Sequence, residues 1–191
     1  MMKEFLFDER SKSGRFVFGK LLEGMDSPFR NRFNDPEKLI KASGLLPGQT
    51  VLEVGCGSGF FTPTISEIVG KTGQVESIDL HPMAVETVNR KMLTLGRKNV
   101  RVSQADAHQT VYPEESFDTI IVYGVVPAPV IDEKKLGSEM YRLLKPGGTL
   151  AVWTIVPFWS PKTIIKETSF TRCSKHQGIY RLQKPDFTKN N

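Results

Sequence analysis

The sequence predicts an α/β protein with a Rossmann-like, doubly wound sheet of seven strands, mostly parallel, with a C-terminal antiparallel hairpin. Three observations predict this fold. Short apolar runs alternate with segments of helical periodicity from residue 50 onwards. A glycine-rich loop follows the first apolar run. Two extended runs, SFTRCSKH and GIYRLQK, end the chain with Gln177 and Gly178 between them, which favours a hairpin over another helix-linked strand.

The composition is typical of a single globular domain. The chain has 191 residues, of which 39% are hydrophobic and 25% charged. We predict a lid or wrapping segment of short irregular elements over residues 1–35 and one domain over residues 36–191. No apolar run is long enough to span a membrane, and the N-terminus MMKEFLFDERSK has no apolar signal core, so a cytoplasmic location is expected.

The first helix of the predicted domain lies within NDPEKLIKASGLLPG. Asp35 is placed to cap it, Pro36 suits its first position and Gly44 follows its end. The run TVLEV then reads as a short buried strand, and the segment after Gly59 has the periodicity of a helix.

The rest of the domain repeats this alternation. Further strands are predicted in QVESID, NVRVSQAD, FDTIIVY and TLAVWTIV, and further helices over residues 82–95 and 132–144, with a short one at 160–168. Because helices of this length link consecutive strands, most of the sheet is expected to be parallel with right-handed crossovers.

The loop in VLEVGCGSGFFT is the expected ligand site. In a doubly wound sheet, ligands bind beyond the carboxyl ends of the strands, and glycines allow a close approach to the backbone. A dinucleotide fingerprint, GxGxxG, would need glycine at position 60, where Phe60 stands. The spacing is instead ExGxGxG from Glu53 to Gly59, and an acid, Asp79, ends the second strand.

This spacing is part of a wider resemblance. The stretches VLEVGCGSGFFT, ESIDLHP, QADAH, PEESFDTIIVYG and LLKPGGTLAVW resemble, in order and spacing, the motifs of class I S-adenosylmethionine-dependent methyltransferases. The chain looks most like the small enzymes grouped with the quinone-biosynthesis methyltransferases, over roughly residues 38 to 156. The resemblance implies S-adenosyl-L-methionine as cofactor and S-adenosyl-L-homocysteine as product.

The resemblance also implies the cofactor site. Glu53 and the glycine backbone would hold the amino acid end, and Asp79 would accept hydrogen bonds from both ribose hydroxyls. Each acid has an alternative role as the cap of the helix that follows it. The implied cofactor-binding residues are Glu53, Gly55, Cys56, Gly57, Gly59, Asp79, Leu80, Asp106, Ala107 and Tyr123. Leu80 would lie against adenine, and Asp106 would accept from its amino group beside the Ala107 N–H. Tyr123 would border the sulfonium.

No catalytic residue is assigned. Methyl transfer from a sulfonium needs a general base only when the acceptor loses a proton. His81, His108 and Tyr123 are candidates, with packing or capping as the alternative role of the histidines. No metal site or disulfide is predicted, since the two cysteines form no CxxC pair, and Cys56 reads as a small buried residue rather than a nucleophile.

The loop YGVVPAPVIDE after the fourth strand bears on the acceptor. It lacks the Asn-Pro-Pro-Tyr type of signature, which weighs against methylation of planar amino groups. An apolar mouth is expected from Val125, Val126, Pro127, Ala128 and Pro129. With the aromatic N-terminal segment as a lid, this mouth favours a small, partly apolar, quinone-like or lipid-like acceptor, although such a loop also suits simple packing.

The charge of the C-terminal part leaves alternatives open. The net charge is +5, and the residues after Leu150 are predominantly basic. Their cations are Lys162, Lys166, Arg172, Lys175, Arg181, Lys184 and Lys189. They either guard an exposed sheet edge or favour an anionic partner. The second reading allows an RNA or protein methyltransferase, and a non-catalytic S-adenosylmethionine-binding partner subunit is a further alternative.

Overall fold

One mixed sheet of seven strands forms the centre of the structure, a computed structural model that describes residues 12–25 and 34–187. The strands are β1 (Thr50–Val54), β2 (Gln74–Asp79), β3 (Val100–Gln104), β4 (Phe117–Tyr123), β5 (Leu144–Trp153), β6 (Arg172–His176) and β7 (Ile179–Gln183). Their order is β3-β2-β1-β4-β5-β7-β6, with β1 to β5 parallel and β7 antiparallel to both its neighbours. The predicted fold class is confirmed.

Helices cover both faces of this sheet. They are α1 (Lys12–Met25), α2 (Pro36–Ser43), α3 (Thr62–Val69), α4 (Pro82–Thr94), α5 (Glu133–Leu143) and α6 (Lys162–Lys166). Side chains of α5 and α6 pack on one face around Leu52 and Ile120, and those of α2 and α3 pack on the other around Val51 and Ile121. Among residues 12–25 and 34–187, no helix combines the length and apolar character that crossing a bilayer requires.

The predicted capping residues of α2 are confirmed. Asp35 Oδ1 accepts hydrogen bonds from the N–H groups of Glu37 and Lys38 at 3.0 and 3.3 Å. Pro36 stands at the start of the helix, and Gly44 closes it in the left-handed conformation with φ 84°. The helix therefore begins and ends where its caps predict.

The N-terminal segment differs from the prediction of short irregular elements. Residues 12–25 form a single helix of 14 residues. Phe18 and Leu22, one turn apart on α1, pack against Met83 and Ala84 at the start of α4. This packing offsets the low helix propensity of the glycines in α1. Residues 1–11 and 26–33 of the predicted lid lie outside the described residues.

The strands that frame the C-terminal part differ in detail from the prediction. Strand β5 begins at Leu144, the last residue of the predicted helix, and includes the predicted PGG turn, because Leu144 pairs with Phe117 before the register shifts and Thr149 pairs with Thr119. It ends at Trp153, short of the predicted TIV. The hairpin of β6 and β7 is confirmed, with Gln177 and Gly178 both at positive φ in its turn.

Candidate functional site

A cleft of about 350 Å³ opens at the carboxyl ends of the central strands, where the glycine loop follows β1. Strand order reverses beside β1, since β2 lies on one side of it and β4 on the other. The lining comprises Phe18, Leu22, Val54, Gly55, Gly57, Ile78, Asp79, Leu80, Ala105, Asp106, Ala107, His108, Gly124, Val125, Ala128, Val130 and Ile131. The cleft thus has the position and size expected of a small-molecule site in this fold.

Asp79 joins the glycine loop to the end of β2. Its Oδ2 accepts from the Gly57 N–H at 2.9 Å, and its Oδ1 accepts from the His81 N–H at 2.9 Å. Burial raises the pKa of the Asp79 carboxyl above its ordinary value, and the His81 and Gly57 N–H groups oppose that rise. The structure differs from the predicted alternative in which Asp79 caps α4, because the N-cap residue of α4 is His81.

The outer glycines of the loop are required for packing within the protein. Gly55 has φ 72°, and a Cβ placed on it would lie 2.5 Å from Cγ2 of Val125. Gly59 has the same φ, and a Cβ there would lie 3.1 Å from Cγ2 of Val88 on α4. Of the three glycines, Gly55 and Gly57 line the cleft, whereas Gly59 lies outside its lining.

Glu53 is a buried acid behind the glycine loop and is not part of the cleft lining. Its Oε2 accepts hydrogen bonds from Oγ1 of Thr62 and from Oγ of Ser77. Burial raises the pKa of the Glu53 carboxyl to about 7, although the bonds from Ser77 and Thr62 act in the opposite direction. The bond from Thr62 joins the side chain of Glu53 on β1 to the side chain of the first residue of α3. In the predicted alternative, Glu53 would instead cap this helix by accepting from a backbone N–H.

Three of the implied adenine-side residues line the cleft together. Leu80 is 46% exposed and follows Asp79 directly, and Asp106 and Ala107 come from the loop after β3. The Ala105 N–H donates to the Asp79 carbonyl at 3.0 Å, which holds the two loops side by side. The cleft therefore has an apolar wall and a carboxylate at this end.

His108 contacts both sides of the cleft. Its Nδ1 lies 2.7 Å from Oδ1 of Asp106, and its Nε2 accepts from the Asp132 N–H at 3.0 Å. Because an accepting nitrogen carries no hydrogen, these partners favour the tautomer with the proton on Nδ1. Both ring nitrogens are engaged in this arrangement, so the geometry favours a binding role for His108 over that of a general base.

His81 is a buried helix cap. Its Nδ1 accepts from the Met83 N–H at 3.2 Å, and its ring stacks on Phe18 of α1 with centroids 3.6 Å apart. The side chain is 1% exposed and does not line the cleft. These contacts match the alternative role predicted for His81, which was packing or capping.

Tyr123 and Cys56 lie in the core and outside the lining of the cleft, in contrast to the positions that the resemblance implies. The Tyr123 hydroxyl donates to the Leu39 carbonyl at 3.0 Å, and its ring packs edge-on against Phe61. Burial raises the pKa of the Tyr123 hydroxyl. Cys56 packs with Val88 and Met92 under α4, and burial raises the pKa of its thiol. Neighbouring residues of a strand face opposite sides of the sheet, and Tyr123 falls on the side away from the cleft.

The acceptor-side wall is partly as expected. Val125 and Ala128 line the cleft, whereas Val126 is buried in the core and the two prolines lie outside the lining. The prediction missed Val130, Ile131, Phe18 and Leu22. The four-residue spacing of Phe18 and Leu22 was the available signal, because it places both side chains on one face of a helix.

Several basic residues of the C-terminal part bind within the protein. Arg181 Nε donates to the Ala42 carbonyl at 2.8 Å, and Lys184 Nζ donates to the Leu144 carbonyl at 2.7 Å. Strand β6 is the edge of the sheet and is exposed along its length, with Arg172 and Lys175 on it. The exposed Arg172 and Lys175 match the predicted alternative of basic residues that protect a sheet edge. Lys189 lies outside the described residues.

The residues of the cleft suit the predicted cofactor. Each carboxylate oxygen of Asp79 accepts one backbone hydrogen bond and retains capacity for a ribose hydroxyl. Leu80 provides an apolar surface for a flat base, and Asp106 provides an acceptor for an amino group. Asp79 supplies negative charge that suits a cation.

The sheet order, the antiparallel hairpin and this cleft define a class I S-adenosylmethionine-dependent methyltransferase. A family described as "Methyltransferase domain" matches residues 45–188, and the chain belongs to this family.

Two relatives with curated names extend this result. The chain is 38% identical over 125 residues to the ubiquinone/menaquinone biosynthesis C-methyltransferase UbiE of Psychromonas ingrahamii, a match that covers 64% of this chain and 49% of the relative. It is 37% identical over 115 residues to the UbiE protein of Escherichia coli O1:K1 / APEC, with 59% and 45% covered. The chain thus spans about half the length of these relatives.

Solved structures show the same architecture. A SAM-dependent methyltransferase from Aquifex aeolicus superposes with a TM-score of 0.69 at 28% identity, covering 86% of this chain and 96% of that one. The geranyl diphosphate C-methyltransferase of Streptomyces coelicolor, solved with S-adenosyl-L-homocysteine, superposes with a TM-score of 0.59 at 23% identity, covering 66% and 46%. The second likeness is one of fold alone.

Proposed function

We propose that this protein transfers a methyl group from S-adenosyl-L-methionine to a small, partly apolar acceptor. The observation that carries the proposal is the two-ended cleft, with the carboxylates of Asp79 and Asp106 towards one end and apolar side chains of α1 and the loop after β4 towards the other. The first end suits an adenosine, and the second suits an apolar molecule.

At the cofactor end, each residue has a defined task. Asp79 accepts from the ribose hydroxyls, and the Gly57 N–H holds that carboxylate in place. Leu80 lies against the adenine, while Asp106 accepts from its amino group. The bound cofactor supplies an activated methyl group. Placement of the acceptor behind that methyl then accounts for most of the rate enhancement.

At the acceptor end, α1 serves as the lid. Leu22 is 5% exposed and lines the cleft, and Phe18 lies between the cleft and the His81 ring. Val130 and Ile131 form the facing wall. Such walls exclude water and favour a quinone-like acceptor, which the names of the UbiE relatives also support.

The alternatives receive less support from the geometry. Methylation of RNA or protein was suggested by the basic C-terminal part of the chain. Arg181 and Lys184 are engaged inside the protein, and Arg172 and Lys175 lie on the edge strand β6, away from the cleft lining. A non-catalytic partner subunit would not need an apolar second end to the cleft. The cytoplasmic location stays a prediction.

The test is a partition experiment. The protein is incubated with methyl-labelled S-adenosyl-L-methionine and cell extract, which is then separated into lipid, RNA, protein and small-metabolite fractions. We expect label in the lipid or small-metabolite fraction to exceed that in a matched sample lacking the protein, which measures the extract's own methyltransferases. An excess in RNA or protein would establish the alternative instead, and no excess in any fraction would contradict catalysis.

A further inference from the structure

Two loops of the cleft meet at one histidine. The adenine-side loop comprises residues 105–108, and the acceptor-side loop comprises residues 124–132. We propose that His108 is a positioning residue that couples these two loops, so that cofactor binding at one fixes the geometry of the other. The inference rests on the proposed function for the identity of the cofactor, and on the hydrogen bonds of His108 for the coupling itself.

The first arm of the coupling orients Asp106. Oδ1 of Asp106 accepts both from the His108 N–H at 2.9 Å and from Nδ1 of the ring at 2.7 Å. Among the described residues, none donates to Oδ2 of Asp106. The side chain is 56% exposed and lines the cleft. His108 therefore occupies one oxygen of the carboxylate and leaves the other for a ligand.

The second arm reaches the start of α5. The Asp132 N–H donates to Nε2 of His108 at 3.0 Å. Asp132 also caps α5, because its Oδ1 accepts from the N–H groups of Lys134 and Lys135. Ile131, the neighbour of Asp132, lines the cleft. A shift of the His108 ring therefore moves the end of the acceptor-side loop and the first turn of α5 together.

Only an imidazole supplies both arms at once. In the asparagine side chain the amide nitrogen takes the place of Nδ1, so His108→Asn keeps the donor to Asp106 and loses the acceptor for Asp132. In the glutamine side chain the amide oxygen takes the place of Nε2, so His108→Gln keeps the acceptor and loses the donor. The two variants separate the arms, and each serves as the control for the other.

The first measurement addresses Asp106. Binding of S-adenosyl-L-homocysteine is compared by calorimetry with that of S-inosyl-L-homocysteine, which carries a carbonyl in place of the adenine amino group. We expect the wild type and His108→Asn to prefer the adenosyl compound by about tenfold, because the carbonyl cannot donate to Asp106. In His108→Gln this preference falls by about fivefold, the effect of one lost hydrogen bond.

The second measurement addresses the coupling. Hydrogen exchange of the Asp132 amide is followed by NMR with and without S-adenosyl-L-homocysteine. We expect slow exchange in the wild type and in His108→Gln, and exchange faster by about fivefold or more in His108→Asn. The ligand slows the exchange further in the wild type alone, because each variant lacks one of the two hydrogen bonds that make up the coupling.

The outcomes separate this inference from the proposed function. If the wild type does not bind S-adenosyl-L-homocysteine, the cofactor assignment itself fails. If the wild type binds it and both variants match the wild type in preference and in exchange, the coupling role of His108 is overturned. Equal losses of both readouts in both variants would likewise overturn it, because a general loosening of the structure does not distinguish the two arms.

Discussion

The Gly57 N–H donates to Oδ2 of Asp79 at 2.9 Å and joins the glycine loop of β1 to the end of β2. The loop that would carry the amino acid end of the cofactor and the acid that would carry its ribose are therefore one unit. A change in either is expected to disturb the other. The same acid accepts from the His81 N–H, which extends the unit to the first turn of α4.

The close approach of Gly55 to Val125 gives the first prediction. Gly55→Ala places a methyl group 2.5 Å from Cγ2 of Val125 at a positive φ, so we expect a loss of about 2–4 kcal/mol in the free energy of unfolding. Gly96→Ala is the matched control, because Gly96 also has a positive φ, 62°, but none of the described residues comes within 4 Å of a Cβ placed there. In Gly96→Ala, the backbone strain alone should lower the free energy of unfolding by about 1 kcal/mol. Urea unfolding measures both. Equal losses would contradict the role of Val125.

The buried acid Glu53 gives a prediction for pH. Its pKa is raised to about 7, so between the ordinary value of 4.5 and pH 7 the native state keeps a proton that the unfolded chain releases. The Glu53 contribution to stability is greatest at low pH and falls as pH rises through this window, by about 3 kcal/mol in total. From pH 5 to pH 8, the unfolding free energy of Glu53→Gln should therefore rise relative to that of the wild type. A constant difference would show that Glu53 is ionised throughout.

The position of Tyr123 gives a prediction that separates core from cleft. Tyr123→Phe removes the hydrogen bond to the Leu39 carbonyl and leaves that carbonyl with one partner fewer, so stability should fall by about 1 kcal/mol. Affinity for S-adenosyl-L-homocysteine should be unchanged, since Tyr123 does not line the cleft. Thermal melting and calorimetry check the two parts. A loss of affinity with unchanged stability would return Tyr123 to the cofactor site.

The parallel part of the fold was predictable from local signals. Asp35, Pro36 and Gly44 fix the ends of α2, and short apolar runs mark the central strands. Helix α1 was missed because glycines interrupt its sequence, and its packing against Met83 and Ala84 depends on residues far along the chain. Tertiary contacts of this kind override local propensity.

The grouping of Asp79, Leu80, Asp106 and Ala107 in one cleft was also predictable, but the directions of some other side chains were not. FDTIIVY is apolar on both faces of the sheet, so its pattern does not reveal that Tyr123 faces away from the cleft. The link from His108 to Asp132 spans 24 residues, and no spacing rule indicates it. The collision of a Cβ at Gly55 with Val125 likewise appears only in three dimensions.

The most direct test is thermal melting of the wild type, Asp79→Asn and Asp118→Asn with and without S-adenosyl-L-homocysteine. Asp118 is the matched control, because it also accepts a backbone N–H, that of Thr50 at 2.8 Å, but lies outside the cleft lining. At a ligand concentration of about 100 times Kd, the wild type and Asp118→Asn should melt about 5 °C or more higher than without ligand. Asp79→Asn should lose most of that shift. No shift in the wild type, or an equal shift in Asp79→Asn, would contradict the assignment of this cleft to the methyl donor.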